Sequence, residues 1–177
     1  MRLIVIAACF LALAIRAGAQ SAPEYEVKAA FLYNFVKFVQ WPSTPSAPAP
    51  FRICVLGRGP FGASLSNIVQ SKSISGRPIL SMRLQSPAEA RSCHVLFISQ
   101  PDAETLKQAL ERVRGLPVLT VSESSDFLRL GGMINFVVEQ DRVRFEINLE
   151  AAEQHHLKLS SKLLAVARVV NVGGGGI

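Results

Sequence analysis

The sequence predicts one α/β domain: a mostly parallel sheet of the Rossmann/flavodoxin-like kind, with helices on both faces and a C-terminal antiparallel hairpin. Three observations predict it. From Phe51 to Ser122, short runs rich in β-branched residues alternate with segments of helical periodicity, the pattern of parallel βαβ units covered on both faces. After Gly132, two extended runs are separated only by Gln140-Asp141, a hairpin spacing. The 177 residues are 49% hydrophobic and 18% charged, enough to bury one sizeable core.

The first nineteen residues stand outside that domain. "MRLIVIAACFLALAIRAGAQ" has a charged start at Arg2, an apolar run from Leu3 to Ile15 and Ala17-Gly18-Ala19 at its end, the layout of a secretory signal peptide cut after Ala19. No second apolar run of about 20 residues follows, so no membrane insertion is expected once the leader is gone. The leader carries Arg2 and Arg16 and no acidic residue, so the formal charge of +6 falls by two to +4. The remaining Lys and Arg are scattered without aromatic interleaving, which argues against a nucleic-acid surface.

Residues 20–170 form the single expected domain. Its first element, "EYEVKAAFLYNFVKFVQWP", reads as a helix over 24–40 that is apolar on nearly every side. Asn34, Lys37 and Gln40 make its polar stripe; Val27, Phe31, Phe35, Phe38 and Val39 cover one broad side, extended by Leu32 and Val36. Lys28 lies off the stripe, where its stem can snorkel. Four prolines between Pro42 and Pro50 exclude helix and central strand, leaving a loop over 42–50.

"FRICVLG" from Phe51 reads as the first strand, and "FGASLSNIVQ" places Leu65, Ile68 and Val69 at helical spacing. Strands follow at Ile79–Leu84 and His94–Ser99. A helix capped by Asp102 and stopped by Gly115 has Leu106, Ala109, Leu110 and Val113 on one face, and "PVLTVS" is the fourth strand. The hairpin runs from Met133 to Glu139 and from Arg142 to Asn148. Two short helices, Leu149–His156 and Ser160–Val169, complete the domain, and 171–177 is a flexible glycine-rich tail.

Candidate chemistry is sparse. "GRGPFG" follows a strand and precedes a helix as a dinucleotide fingerprint does, but no acidic residue follows until Glu89 and Pro60 removes an amide from the turn, so a structural glycine turn is the better reading. His155 and His156 are adjacent on a helix and point about 100° apart, unsuited to chelation. Ser99 and Ser160 lack an evident base, and paired carboxylates are missing, so neither a metal, a cofactor nor an enzymatic activity is implied. Cys54 and Cys93 remain after the leader; an even pair in an exported protein suggests one disulfide, with two buried thiols as the alternative. Glu146, flanked by Arg144 and followed by Lys158 and Arg168, is either an ion-pair network or the floor of a pocket for an anionic or zwitterionic small molecule.

The N-terminal block, the C-terminal block "GGMINFVVEQDRVRFEINLEAAEQHHLKLSSKLLAVARVV", and "FRICVLGRGPFG", "GRP" and "CHVLFIS" between them resemble the YfiR-like family of bacterial periplasmic proteins, over about Glu24 to Val170. The resemblance implies a periplasmic, non-catalytic regulator. The family's best-known member represses an inner-membrane diguanylate cyclase through that enzyme's periplasmic portion, lowering cyclic-di-GMP and biofilm formation; other relatives accompany sensor kinases. It also implies a Cys54–Cys93 disulfide, since both match family positions. Strand order 2-1-3-4 makes the first and third strands neighbours, within the ~4.4–6.8 Å Cα separation such a bridge needs. The second cysteine pair of that member is absent here, where Val137 and Val138 stand, so redox control through it is not available.

The expected function is therefore modulation of a diguanylate cyclase or sensor kinase through its periplasmic domain, with a small-ligand receptor over Glu146, Arg144, Lys158 and Arg168 as the alternative. The surface expected to meet the partner, or a second copy in a homodimer, is the helix flank carrying Leu32, Tyr33, Val36 and Trp41.

Overall fold

The structure is a computed structural model that describes residues 22–42 and 49–172; the leader, most of the proline-rich loop and the glycine run of the tail lie outside the described residues. In chain order the elements are α1 (Ala22–Phe38), β1 (Val39–Gln40), β2 (Phe51–Gly57), α2 (Ser64–Val69), β3 (Ser73–Ile74), β4 (Arg77–Leu84), a 3-10 helix (Pro87–Ser92), β5 (Val95–Ser99), α3 (Ala103–Val113), β6 (Leu119–Ser122), β7 (Ile134–Glu139), β8 (Arg142–Ile147), α4 (Leu149–Gln154), β9 (Lys158–Leu159), α5 (Ser161–Leu164) and β10 (Arg168–Val169).

Eight strands form the main sheet in the order β10-β8-β7-β6-β5-β2-β4-β3. Its β4-β2-β5-β6 stretch is parallel throughout and has the 2-1-3-4 order expected. β7 joins in parallel and β8 returns antiparallel, with Phe136 opposite Phe145 and Glu139 opposite Arg142. The hairpin turns on Gln140 and Asp141, at φ 50° and 58°. Two consecutive positive φ values are what a two-residue turn requires to match the strand twist.

Alternation along the strands splits the core into two layers. Ile53, Val55, Val95, Phe97, Val121 and Ile134 face α1, α2 and α4, whereas Cys54, Leu56, Leu96 and Ile98 face α3 and the 3-10 helix. Asp102 caps α3 by accepting from the Thr105 amide at 2.8 Å. The disulfide joins Cys54 in β2 to Cys93, just before β5, with the Cα atoms 5.9 Å apart, in the second layer.

Three elements differ from the sequence reading. The N-terminal helix ends at Phe38, because Val39 and Gln40 pair antiparallel with Leu159 and Lys158 in a ribbon of their own. The last helix, expected over 160–169, is the single turn Ser161–Leu164. Beyond it, Arg168 and Val169 extend the main sheet beside Glu146 and Ile147, where backbone pairing replaces helical bonds. The helix expected over 149–156 ends at Gln154, with His156 at φ 60°.

Candidate functional site

The aromatic helix α1 lies across the first face of the sheet. Leu32 and Phe35 are fully buried and Val36 is 2% exposed. Phe35 packs against Phe145 at 5.3 Å and Phe136 at 6.0 Å, and Phe31 against the same two rings at 5.1 and 6.0 Å. The flank open to solvent is therefore not the one expected. Leu32 and Val36 are core, because the helix rolls them onto the sheet, and an aspartate at either would destroy packing before it tested a contact. Val27, read as core-side, is 45% exposed. Tyr33 is half-buried with the Lys37 ammonium over its ring at 5.6 Å, and Trp41 is half-buried against Phe51 and His94.

The exposed flank continues onto the hairpin. Val27 stands one turn before Phe31 on the same side of α1. Phe31 sits on the Phe136–Phe145 cross-strand pair, and the next same-face pair along the hairpin is Val138–Val143, with Val138 50% exposed. These residues form an apolar strip, Val27–Phe31–Val143–Val138, running from the helix to the hairpin. Apolar side chains exposed on neighbouring elements in this way make the strip a candidate interaction surface.

Beneath the strip, α1 is pinned by charge. Lys28 is 1% exposed, and its Nζ lies 2.5 Å from Glu24 Oε1 one turn back and 2.5 Å from Glu123 Oε2, just past the end of β6. The Tyr25 hydroxyl donates to Glu123 Oε1 at 2.9 Å. Burial, then the hydrogen bond and charge of Glu123, push the Tyr25 phenol well above its ordinary range, so it stays protonated and donating. Lys28 does not snorkel to water. Glu123 is the site residue that the sequence reading missed; the available signal was the Glu24/Lys28 i, i+4 pair together with an isolated acid at the carboxyl end of a sheet strand.

The four residues proposed for a ligand floor are only partly brought together. Arg168 on β10 bonds Glu146 at 2.9 Å, and it also bonds Glu139 at 2.6 Å, an exposed triad that includes an acid the sequence reading did not name. Both carboxylates hold the guanidinium pKa above its usual value. Arg144 is exposed opposite Val137, and Lys158 belongs to the β1–β9 ribbon opposite Gln40, a different sheet from its three proposed companions. No group of three or more His, Cys, Asp or Glu side chains able to hold a metal occurs among the described residues.

At the opposite end of the strands, His94 packs against Phe51 (5.0 Å) and Trp41 (6.0 Å). Its Nδ1 accepts from the Arg52 amide at 3.2 Å, and Nε2 meets the Arg77 guanidinium at 3.2 Å. Burial first, then Arg77 and Arg52, push its pKa down to about 4. The unfolded chain, with histidine near 6.5, takes up a proton between that pH and about 4 that the folded protein refuses. The melting temperature is therefore expected to fall as pH drops through that window, and His94→Asn, which keeps an acceptor, should flatten the dependence. Identical profiles for the two proteins across that window would show that His94 does not carry it.

"GRGPFG" has a structural explanation. Gly57 sits at φ +93°, and a Cβ there would lie 2.7 Å from the Ser99 carbonyl oxygen, so glycine is required for β2 to pass β5. The helix that follows, α2, has only six residues and no side-chain cap.

Fold and surface together define a doubly wound, disulfide-bridged α/β domain with an apolar strip shared by its first helix and its hairpin. No helix among the described residues is long and apolar enough to cross a membrane. The chain belongs to the YfiR/HmsC-like family, which it matches over residues 25–168. Membership supports a periplasmic regulatory role in general terms. Among solved structures the chain is similar to a conserved domain protein from Vibrio cholerae O1 biovar El Tor strain N16961. That likeness has a TM-score of 0.52 and 12% identity, and covers 83% of this chain and 60% of that one. It is a likeness of fold, and the chain spans about 60% of the Vibrio protein's length. A dehydrogenase from Rhizobium meliloti aligns with 22% identity over 58% of this chain and 42% of that one, at a TM-score of 0.29, too low to bear on nucleotide chemistry.

Proposed function

We propose that the protein is a non-catalytic periplasmic regulator that binds the periplasmic portion of an inner-membrane signalling protein, a diguanylate cyclase or a sensor kinase, and holds it in its inactive arrangement. The observation that carries this reading is the family match, which runs from Tyr25 at the start of α1 to Arg168 on β10. It encloses the whole apolar strip. A regulator of this kind needs no chemistry of its own. It shifts the partner's output by the difference between its affinities for the partner's two states, and a surface that fits one state alone suffices.

The strip is suited to that role, since Val27 and Val138 are exposed apolar side chains on opposite elements with a half-buried phenylalanine between them. Partners of such surfaces are held by a few central apolar and aromatic anchors. The double change Val27→Asp, Val138→Asp is expected to weaken binding of a cognate periplasmic domain at least about tenfold, one 1.4 kcal/mol step in affinity. Stability should move by no more than about 0.5 kcal/mol per site, because both positions are at the surface. A calorimetric titration of wild type and variant reads the first, and a melting curve the second. Unchanged affinity in a variant that folds normally would remove the strip from the interface.

A further inference from the structure

The strip leaves unused a separate feature on the same face of the sheet, at its other end. A pocket of 260 Å³ opens over the C-terminal ends of β2 and β4, beneath α2 and the glycine-rich loop. Its apolar lining is Val55 from β2 with Phe61 and Leu65 from the loop and helix, all three buried residues of the first core layer. On β4 it is lined by Ser81, Met82 and Arg83, of which Ser81 and Arg83 share one face of the strand. The Arg83 guanidinium folds over Gly59, its Cζ 3.8 Å from where a Cβ would stand, which brings the cation across the pocket mouth. No ion pair to Arg83 occurs among the described residues, as for most of the cations there, so its guanidinium has no carboxylate to release before it can take a ligand.

We infer that this pocket is a binding site for a small monocarboxylic acid with an aromatic or branched aliphatic body. The apolar walls accept the body, and the guanidinium at the mouth takes the carboxylate in the two-pronged geometry for which arginine is suited. Size sets the class. At about 260 Å³ the space is slightly below the about 300–1,000 Å³ of pockets that hold drug-sized ligands, which suits one ring or one branched chain. A dinucleotide does not suit this space, and Pro60 removes an amide from the turn that would cradle its pyrophosphate. Inorganic phosphate would satisfy the guanidinium but leave the apolar walls uncovered. The inference does not depend on the partner reading, since none of its residues belongs to the strip.

The test is a titration of the purified protein with phenylacetate and 4-methylpentanoate as probes, followed by NMR of the backbone amides. Benzyl alcohol, phenethylamine, acetate and inorganic phosphate serve as controls. Saturable shifts at millimolar or lower probe concentration are expected, centred on residues 59–66 and 81–83. Arg83→Gln should weaken phenylacetate binding at least about tenfold, the loss of one charge-assisted pair, with Arg83→Lys intermediate. Ser66→Trp, an exposed position of α2 beside the pocket, should block it while leaving the melting temperature unchanged. Equal binding of benzyl alcohol, acetate or phosphate would overturn the inference. So would full phenylacetate affinity in Arg83→Gln, or the absence of saturation by either carboxylate.

Discussion

Lys28→Met is expected to destabilise the protein by about 3–5 kcal/mol, the cost of removing one partner from a buried ion pair and leaving the other charge unpaired. Lys28 is 1% exposed, and the side chains of Glu123 and Glu24 are 7% and 15% exposed, so neither carboxylate can recover its hydration without undocking the first turns of α1. In a domain of this size the loss corresponds to roughly 6–20 °C in melting temperature. Methionine preserves the stem, so the lost packing is small and the effect reports on charge. Adding Glu123→Gln to Lys28→Met should restore part of the stability, because it removes the more buried of the two stranded carboxylates. A Lys28→Met protein that melts within a degree or so of wild type would mean that the cluster is solvated and that α1 is held by its aromatic residues alone.

Breaking the disulfide is the other large effect. The cysteines are 39 positions apart, and the loop-entropy estimate for a closure of that length is roughly 3–4 kcal/mol. Cys54→Ser should therefore lower the melting temperature markedly while leaving the circular dichroism of the folded state recognisable. The bridge ties β2, a central strand, to the residue that leads into its neighbour β5, so its loss frees the 3-10 helix and β4 from one end. Coincident melting curves under oxidising and reducing conditions would show that it contributes nothing. No second cysteine pair stands in the C-terminal block, so the redox-responsive group among the described residues is the Cys54–Cys93 bridge.

The parts of the fold that were legible in the sequence are those fixed by local chemistry. Three of the four parallel strands, β2, β5 and β6, are apolar runs with β-branched residues buried on both sides, so they read as strands in any context. The hairpin was legible from the two-residue spacing between two extended runs, and α3 from a capping aspartate and a terminal glycine. The ribbon of β1 with β9 and the edge strand β10 were not, because two-residue strands exist only where tertiary packing brings their backbones together. The same limit governed the site. A helix apolar on nearly every side carries no periodicity from which to say which flank meets the sheet, so Leu32 and Val36 were placed outside and Val27 inside, the reverse of what packing dictates. Glu123 was illegible for a related reason: its role depends on β6 ending where the first turns of α1 cross it, a juxtaposition of residues 95 positions apart.

The central proposal is that an apolar strip on α1 and the hairpin binds a membrane signalling protein and lowers its output. The most direct measurement is cyclic-di-GMP synthesis by a full-length cognate cyclase reconstituted in lipid vesicles with its periplasmic portion facing outward, titrated from outside with this protein. Wild type is expected to lower the rate saturably, and Val27→Asp, Val138→Asp is expected to require at least about tenfold more protein for the same effect. Equal inhibition by the two proteins, or none by wild type at concentrations where it binds, would contradict it.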